Sequence, residues 1–242
     1  MTNLASVTER RLHPERWVVA GGAGAVVAAL FGHLVVRRLR PAWRDPDSGV
    51  NQLLDMAREV NLPTWLSVSI FLGGAATQAV AAALARLAHH PSRGWWLALA
   101  VVSLAMSIDD FVQLHERTDA LGRRLGGGSG LTYAAWLIPG AAVAAVLVTV
   151  VVVLGRRTSH LVRRRLWVGA TLFLVGSFGL EAIGNAYLER AGLGGGYRAF
   201  MLAEESLELF GAVVLMAAAF AALSFVRHAR GVTVSYDVAA GT

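Results

Sequence analysis

The sequence predicts an all-α, polytopic membrane protein in which about six transmembrane helices form one bundle. Hydrophobic residues make up 55% of its 242 residues and charged residues only 16%, a balance that soluble domains rarely reach. The apolar residues also fall in continuous runs of about 20, which is the length that crosses the hydrocarbon core of a bilayer as a helix. Composition and run length therefore predict membrane insertion before any motif is considered.

The predicted spans are separated by arginines, prolines, glycines and tryptophans. In chain order they cover about 17–36, 63–87, 95–116, 131–154, 166–188 and 198–226. Pro63 opens the second span, because proline is tolerated in the first turn of a helix, and Trp95 opens the third as an interfacial anchor. A charged tail of residues 1–16 precedes the spans and a tail of residues 227–242 follows them, so the transmembrane domain covers 17–226.

Composition excludes several kinds of chemistry. The chain has no cysteine, which excludes disulfides and thiolate metal ligands. All 22 basic residues are arginine, so no lysine is present to form a Schiff base. The arginines lie at the ends of the spans, which favours membrane lipids over nucleic acid as partners. The Ala-, Arg- and Val-rich composition predicts a multi-pass protein of a bacterial cytoplasmic (inner) membrane.

Acidic residues inside the spans are the main functional signal. Of the 16 acidic residues, seven fall within spans: Asp109, Asp110, Glu116, Glu181, Glu204, Glu205 and Glu208. A charged side chain at the bilayer centre costs about 2.5–3.5 kcal/mol on insertion scales, and the span interiors hold no arginine to offset that cost. Alternating topology places the end of span three, the end of span five and the start of span six on the same side of the membrane. We therefore expect these acids to gather there.

Helical phase predicts which acids face one another on span three. Asp109, Gln113 and Glu116 are spaced i, i+4 and i+7, so they share one face. Asp110 lies about 100° round the helix from Asp109 and still reaches the same space. By phase His115 points elsewhere, and it joins the site only if the helix loosens near its end.

The other helices contribute further oxygen ligands. Glu181 and Asn185 lie on one stripe of span five, and Glu208 stands one turn from Glu204 and Glu205 on span six. Glu59, in the linker before span two, lies on the same side of the membrane. The predicted metal ligands are Asp109, Asp110, His115, Glu116, Glu181, Glu204, Glu205 and Glu208, with Glu59, Gln113 and Asn185 around them.

An oxygen-rich set of this kind suits a divalent metal ion, and Fe, Mn, Zn, Mg and Ca are not distinguished by the sequence. The first hypothesis is a metal-dependent membrane hydrolase or oxidase acting on a lipid or other apolar substrate, with Glu181 and Glu208 as metal ligands. The alternative is a cation or proton transporter or channel that uses the same carboxylates. A second alternative is a non-catalytic subunit of a membrane complex, and self-association as a homo-oligomer is left open. Broken helices at the site are typical of transporters, but Pro139-Gly140 lies in the acid-free span four, which favours the enzyme.

Four short motifs resemble those of a group of uncharacterised bacterial multi-pass membrane proteins. They are Glu59-x-Asn61-x-Pro63-Thr64, Asp109-Asp110-x4-His115-Glu116, Glu181-x3-Asn185 and Glu204-Glu205-x2-Glu208. The likeness extends over most of the chain from the first linker onward. It implies the multi-pass helical fold and brings no particular activity with it.

Overall fold

The computed structural model describes residues 10–39, 45, 48–56, 58 and 60–237. Glu59, which is predicted to lie on the same side of the membrane as the acids, is outside the described residues. Within these ranges the protein is mostly helical. Five helical segments are long and apolar enough to cross a membrane: Pro14–Val36, Leu62–Leu87, Arg93–Val112, Leu137–Gly155 and His160–Ala191.

The helices follow one another with short connections. The first six are α1 (Pro14–Leu39), α2 (Gly49–Leu54), α3 (Leu62–Leu87), α4 (Arg93–Val112), α5 (Leu114–Arg117) and α6 (Asp119–Arg124). After a 3-10 turn at Gly130–Thr132 come α7 (Leu137–Gly155), α8 (His160–Leu174), α9 (Glu181–Ala191) and α10 (Gly195–Ala221). A π-helical segment, Val175–Leu180, joins α8 to α9 without interruption, so α8 and α9 form one long rod.

Helix α10 lies at the centre of the array and packs against α1, α3 and α8. Glycines permit a close approach between α8 and α10. A Cβ atom on Gly211 would lie 2.6 Å from the backbone nitrogen of Phe173, and one on Gly169 would lie 2.8 Å from the Leu215 side chain. The buried side chains of Leu209 and Val213 then fill the interior along α10.

A small sheet corrects the all-α prediction. Strands β1 (Arg10–Leu12), β2 (Leu223–His228) and β3 (Gly231–Tyr236) form an antiparallel sheet in the order β1-β2-β3. The span predicted to end at 226 therefore ends as a helix at Ala221, and both predicted tails contribute strands. The alternation of Val232 and Val234 with Thr and Ser is typical of a strand, whereas β2 directly follows the apolar helix α10, which hides its start.

The sheet is attached to the helices through Tyr236. Its hydroxyl lies 2.7 Å from Ser92 Oγ and accepts a hydrogen bond from Trp96 Nε1 at 3.0 Å. Ser92 and Trp96 stand at the start of α4. The sheet thus marks one end of the array, here called the sheet end, and the last turn of α4 lies at the opposite end.

Two predicted boundaries differ because backbone geometry overrides hydropathy. The span predicted to run to 116 ends at Val112, since Gln113 adopts a left-handed conformation with φ 54° and ψ 49°. The span predicted to begin at 131 begins at Leu137, after the 3-10 turn. Before Leu137 an apolar stretch continues beyond the helix, so hydropathy extends the predicted span too far. After Val112 the residues are mostly polar, and the predicted span continues only because helical phase is carried on to Glu116.

Candidate functional site

A cavity of about 360 Å³ lies at the end of the helices away from the sheet. Helices α4, α7 and α10 and the π segment with its continuation into α9 form its walls. Seven of the eight predicted ligands line it: Asp109, Asp110, His115, Glu181, Glu204, Glu205 and Glu208. The structure therefore brings together acids from three separate helices, as their alternating topology predicts.

The remaining predicted residues lie elsewhere. Glu116 is exposed and is not among the residues that line the cavity. The common face predicted for Asp109, Gln113 and Glu116 does not form, because the helix ends at Val112. Asn185 is buried behind the lining and donates from Nδ2 to the backbone oxygen of Glu181 at 3.0 Å.

His115 lies in the cavity, where helical phase alone predicts that it points away. The left-handed Gln113 turns the chain back, so the Asp109 carboxylate accepts the backbone N–H of His115 at 2.7 Å. The other carboxylate oxygen lies 2.8 Å from His115 Nδ1. A carboxylate that holds one ring nitrogen fixes the orientation of the imidazole. Because α4 ends before His115, the side chain of His115 is free of the helical phase and pairs with Asp109.

Trp136, just before α7, links the histidine to the acids of the next helix. Its Nε1 donates to Glu181 Oε1 at 3.3 Å, and its ring lies 4.8 Å from the His115 ring and 5.6 Å from the Phe178 ring. Gly140 makes room for it, because a Cβ there would lie 2.8 Å from the indole. Trp136 has no sequence feature that marks it as part of the site, since it lies on a segment without acids.

The acids of α10 face those of α9 and α4. Glu204 of α10 and Glu181 of α9 line the same cavity, and two carboxylates that face one space repel each other when both are ionised. Glu208 is half-buried, and the acids that line the cavity with it include Glu205, Asp110 and Glu181. The cluster is therefore held together against like-charge repulsion by protons or by a bound cation.

Close packing fixes the α10 acids in place. A Cβ on Gly176 would lie 2.9 Å from both the backbone oxygen of Glu204 and the Cγ atom of Glu208. Gly176 belongs to the π segment, and π segments are frequent at functional sites because the inserted residue changes which side chains face inward. Ser177, Phe178 and Glu181 all line the cavity from this part of the rod.

Other helix irregularities meet at the same cavity. Pro139 and Gly140, in the first turn of α7, line it, although α7 has no acid of its own. Gln113, which ends α4, directly precedes Leu114, and Leu114 lines the cavity. The observation that counted against transport, a Pro-Gly pair on an acid-free helix, therefore loses its force, because that helix faces the acids.

The ionisable residues that line the cavity are mostly acidic. Among the described residues that line it, none is an arginine. The Oδ2 atom of Asp110 is buried and has no hydrogen-bond partner within the described part of the chain. No group of three or more His, Asp or Glu side chains in the described ranges is close enough to hold a metal ion, so the geometry gives the predicted metal site no support.

Comparison with known proteins gives a family and no activity. No curated protein and no solved structure matches the chain. A family model matches residues 19–223, which include every cavity residue. The chain therefore belongs to the family described as a domain of unknown function, DUF8692.

Proposed function

We propose that this chain is a six-span membrane protein that binds a cation in the acidic cavity and moves it across the bilayer. The observation that carries the proposal is the cavity lining, in which six acids and His115 face one space with no arginine among the described lining residues. A cation bound there would neutralise carboxylates that otherwise raise the free energy of the folded protein in the membrane. The buried Asp110 Oδ2 has no described hydrogen-bond partner, and a positive charge bound nearby would stabilise it.

The count of six spans rests on the position of the sheet. Strand β1 immediately precedes α1, β2 immediately follows α10, and the two strands pair directly. Two paired strands lie on the same side of a membrane, so the chain between them crosses an even number of times. Five segments meet the length and hydropathy required of a span, and α10, with 27 residues, supplies the sixth. We place the protein in a bacterial inner membrane, with lipid headgroups as its surroundings.

Transport is favoured over fixed binding because the helices are irregular where they meet the cavity. Ion and substrate sites of transporters are commonly built where helices are interrupted, since the freed backbone and side chains then line a polar space. Here α4 ends in a left-handed residue, α7 begins with a Pro-Gly pair, and the α8–α9 rod contains a π segment. All three features border one site.

Cation flux in proteoliposomes tests the proposal. Purified protein reconstituted into vesicles is given gradients of H⁺, Na⁺, K⁺, Mg²⁺ or Ca²⁺ in turn. We expect flux of at least one of these cations in the wild type and its loss in Glu208→Gln, which keeps the size of the side chain and removes its charge. Flux that is unchanged in Glu208→Gln would remove the proposal.

A metal-dependent enzyme is the second candidate, and the Asp109–His115 pair favours it. A metal-binding histidine typically has its other ring nitrogen held by a carboxylate, as Nδ1 of His115 is held here. In that case His115 and nearby acids would hold a divalent ion that activates water against a lipid or other apolar substrate. Elemental analysis of protein purified without chelators should then find about one metal ion per chain, lost in His115→Ala. Metal-free wild-type protein would contradict this candidate.

A further inference from the structure

The cavity has two chemically different halves. The acids, His115 and Trp136 occupy the half that lies farther from the sheet. The other half, nearer the middle of the helices, is lined by Phe71, Val102, Met106, Leu147, Phe173 and Leu174. On α4, Val102 and Met106 precede Asp109 by one to two turns, and on α8 Phe173 and Leu174 precede Ser177 by about one turn. The cavity is thus acidic at its outer end and apolar toward the bilayer centre.

Two lining residues, one on α4 and one on α7, also reach the protein surface. Ala105 of α4 and Val143 of α7 both line the cavity and are both exposed, Val143 to 46%. These residues lie on the apolar stretches of two predicted spans, so in a membrane this side of the cavity faces lipid. A gap between them would let a ligand reach the apolar half from within the bilayer.

A small inorganic cation uses only the acidic half. The complete cavity measures about 360 Å³, which falls in the range of about 300–1,000 Å³ typical of sites for organic ligands. Such sites are mostly apolar and hold a few polar groups that fix the orientation of the ligand. The acidic end fits a positive headgroup, and the apolar end fits hydrocarbon or aromatic groups attached to it.

We infer that the ligand is an amphiphilic organic cation that enters laterally between α4 and α7. This inference rests on the proposed cation function. Its charged head lies among Asp110, Glu204 and Glu208. Its apolar part lies against Met106, Leu147 and Phe173. Lateral entry brings the ligand in from the membrane, where amphiphiles concentrate.

Equilibrium binding to protein in lipid nanodiscs tests this inference, with tetraphenylphosphonium as the amphiphilic cation and tetramethylammonium as a cation without apolar bulk. Empty nanodiscs correct for partitioning into lipid. We expect saturable binding of tetraphenylphosphonium, at least about tenfold tighter than that of tetramethylammonium because apolar surface is buried. Glu208→Gln should weaken it by about tenfold or more, since the charge that faces the headgroup is lost.

A matched pair of substitutions tests the apolar half. Ala144 lines the cavity, whereas its neighbour Ala145 is exposed and does not. We expect Ala144→Phe to fill the apolar half and abolish tetraphenylphosphonium binding, while Ala145→Phe binds as wild type does. If Ala144→Phe fails to fold, Met106→Gln replaces it, since it makes the same half polar at nearly constant size.

The outcomes separate this inference from the proposed function. Saturable tetraphenylphosphonium binding that Ala144→Phe abolishes and Glu208→Gln weakens by about tenfold or more supports the inference. Glu208-dependent flux of an inorganic cation without tetraphenylphosphonium binding, or with binding that Ala144→Phe leaves intact, overturns the inference and keeps the proposed function. Absence of both flux and binding overturns both.

Discussion

At the residue scale, the backbone of Gln113 determines the chemistry of His115. Left-handed geometry is uncommon for residues other than glycine, and here it ends α4 so that Asp109 holds both the backbone and the ring of His115. His115 lies beyond the end of the membrane-spanning part of α4. Burial by itself lowers the pKa of His115, but its hydrogen bond to Asp109 and the nearby negative charges outweigh burial, so the pKa lies above its ordinary value of 6.5.

Replacing Asp109 by Asn therefore lowers the pKa of His115. The charge that stabilises the imidazolium is lost, while burial, which disfavours it, stays. NMR of side-chain-labelled histidine should show a midpoint above 6.5 in the wild type and a lower one in Asp109→Asn. Because the folded-state pKa is raised, the stabilisation by protonated His115 is complete below pH 6.5 and is lost as the pH rises through the folded value. An Asp109→Asn midpoint equal to that of the wild type would contradict the pairing.

The sequence predicts which residue types form the site but not how this turn aims them. Asp109, Asp110 and Glu208 stand out as acids in apolar runs and indeed line the cavity. Glu116 is predicted to line the site from helical phase but lies outside the cavity, because helical phase applies only while the helix continues. Because of a single left-handed residue, His115 lies in the cavity and Glu116 lies outside it, which is the reverse of the prediction. No local sequence pattern around Gln113 indicates this backbone conformation.

At the element scale, the π segment brings the α8–α9 rod against α10. Within the π segment, Gly176 lies closest to α10, since a Cβ there would meet the Glu204 backbone and the Glu208 side chain. The inserted residue of a π segment leaves hydropathy unchanged, so span five is predicted correctly as a long apolar helix while its irregularity is missed. The strands are missed for a related reason, because β2 begins directly after an apolar helix.

Gly176→Ala should destabilise the protein by about 1–3 kcal/mol, because an added methyl in a packed interface forces neighbouring atoms to shift. Gly179→Ala is the matched control in the same segment, where the nearest atom to a new Cβ is Val175 Cγ1 at 3.9 Å. Thermal unfolding in detergent, followed by circular dichroism, compares the two variants with the wild type. Equal unfolding temperatures for both variants would show that the contact between the π segment and α10 is looser than described.

At the scale of the whole molecule, the pairing of β1 with β2 joins the start of the first helix to the end of the last helix at the sheet end. The acids lie at the opposite end of the array. This separation could be predicted in outline, since alternating spans place the acids of three helices on one side. The cavity itself could not, because its shape depends on how α4 and α7 approach each other. The apolar half and its side that faces lipid arise only from that packing.

The most direct test of a cation in the acidic cavity is proteoliposome flux in two variants that make the same chemical change, Glu208→Gln and Glu116→Gln. Glu208 lines the cavity and is half-buried, while Glu116 is exposed and lies outside the lining. We predict that Glu208→Gln abolishes cation flux and that Glu116→Gln keeps that of the wild type. Loss of flux in Glu116→Gln with full flux in Glu208→Gln would contradict the site as placed here.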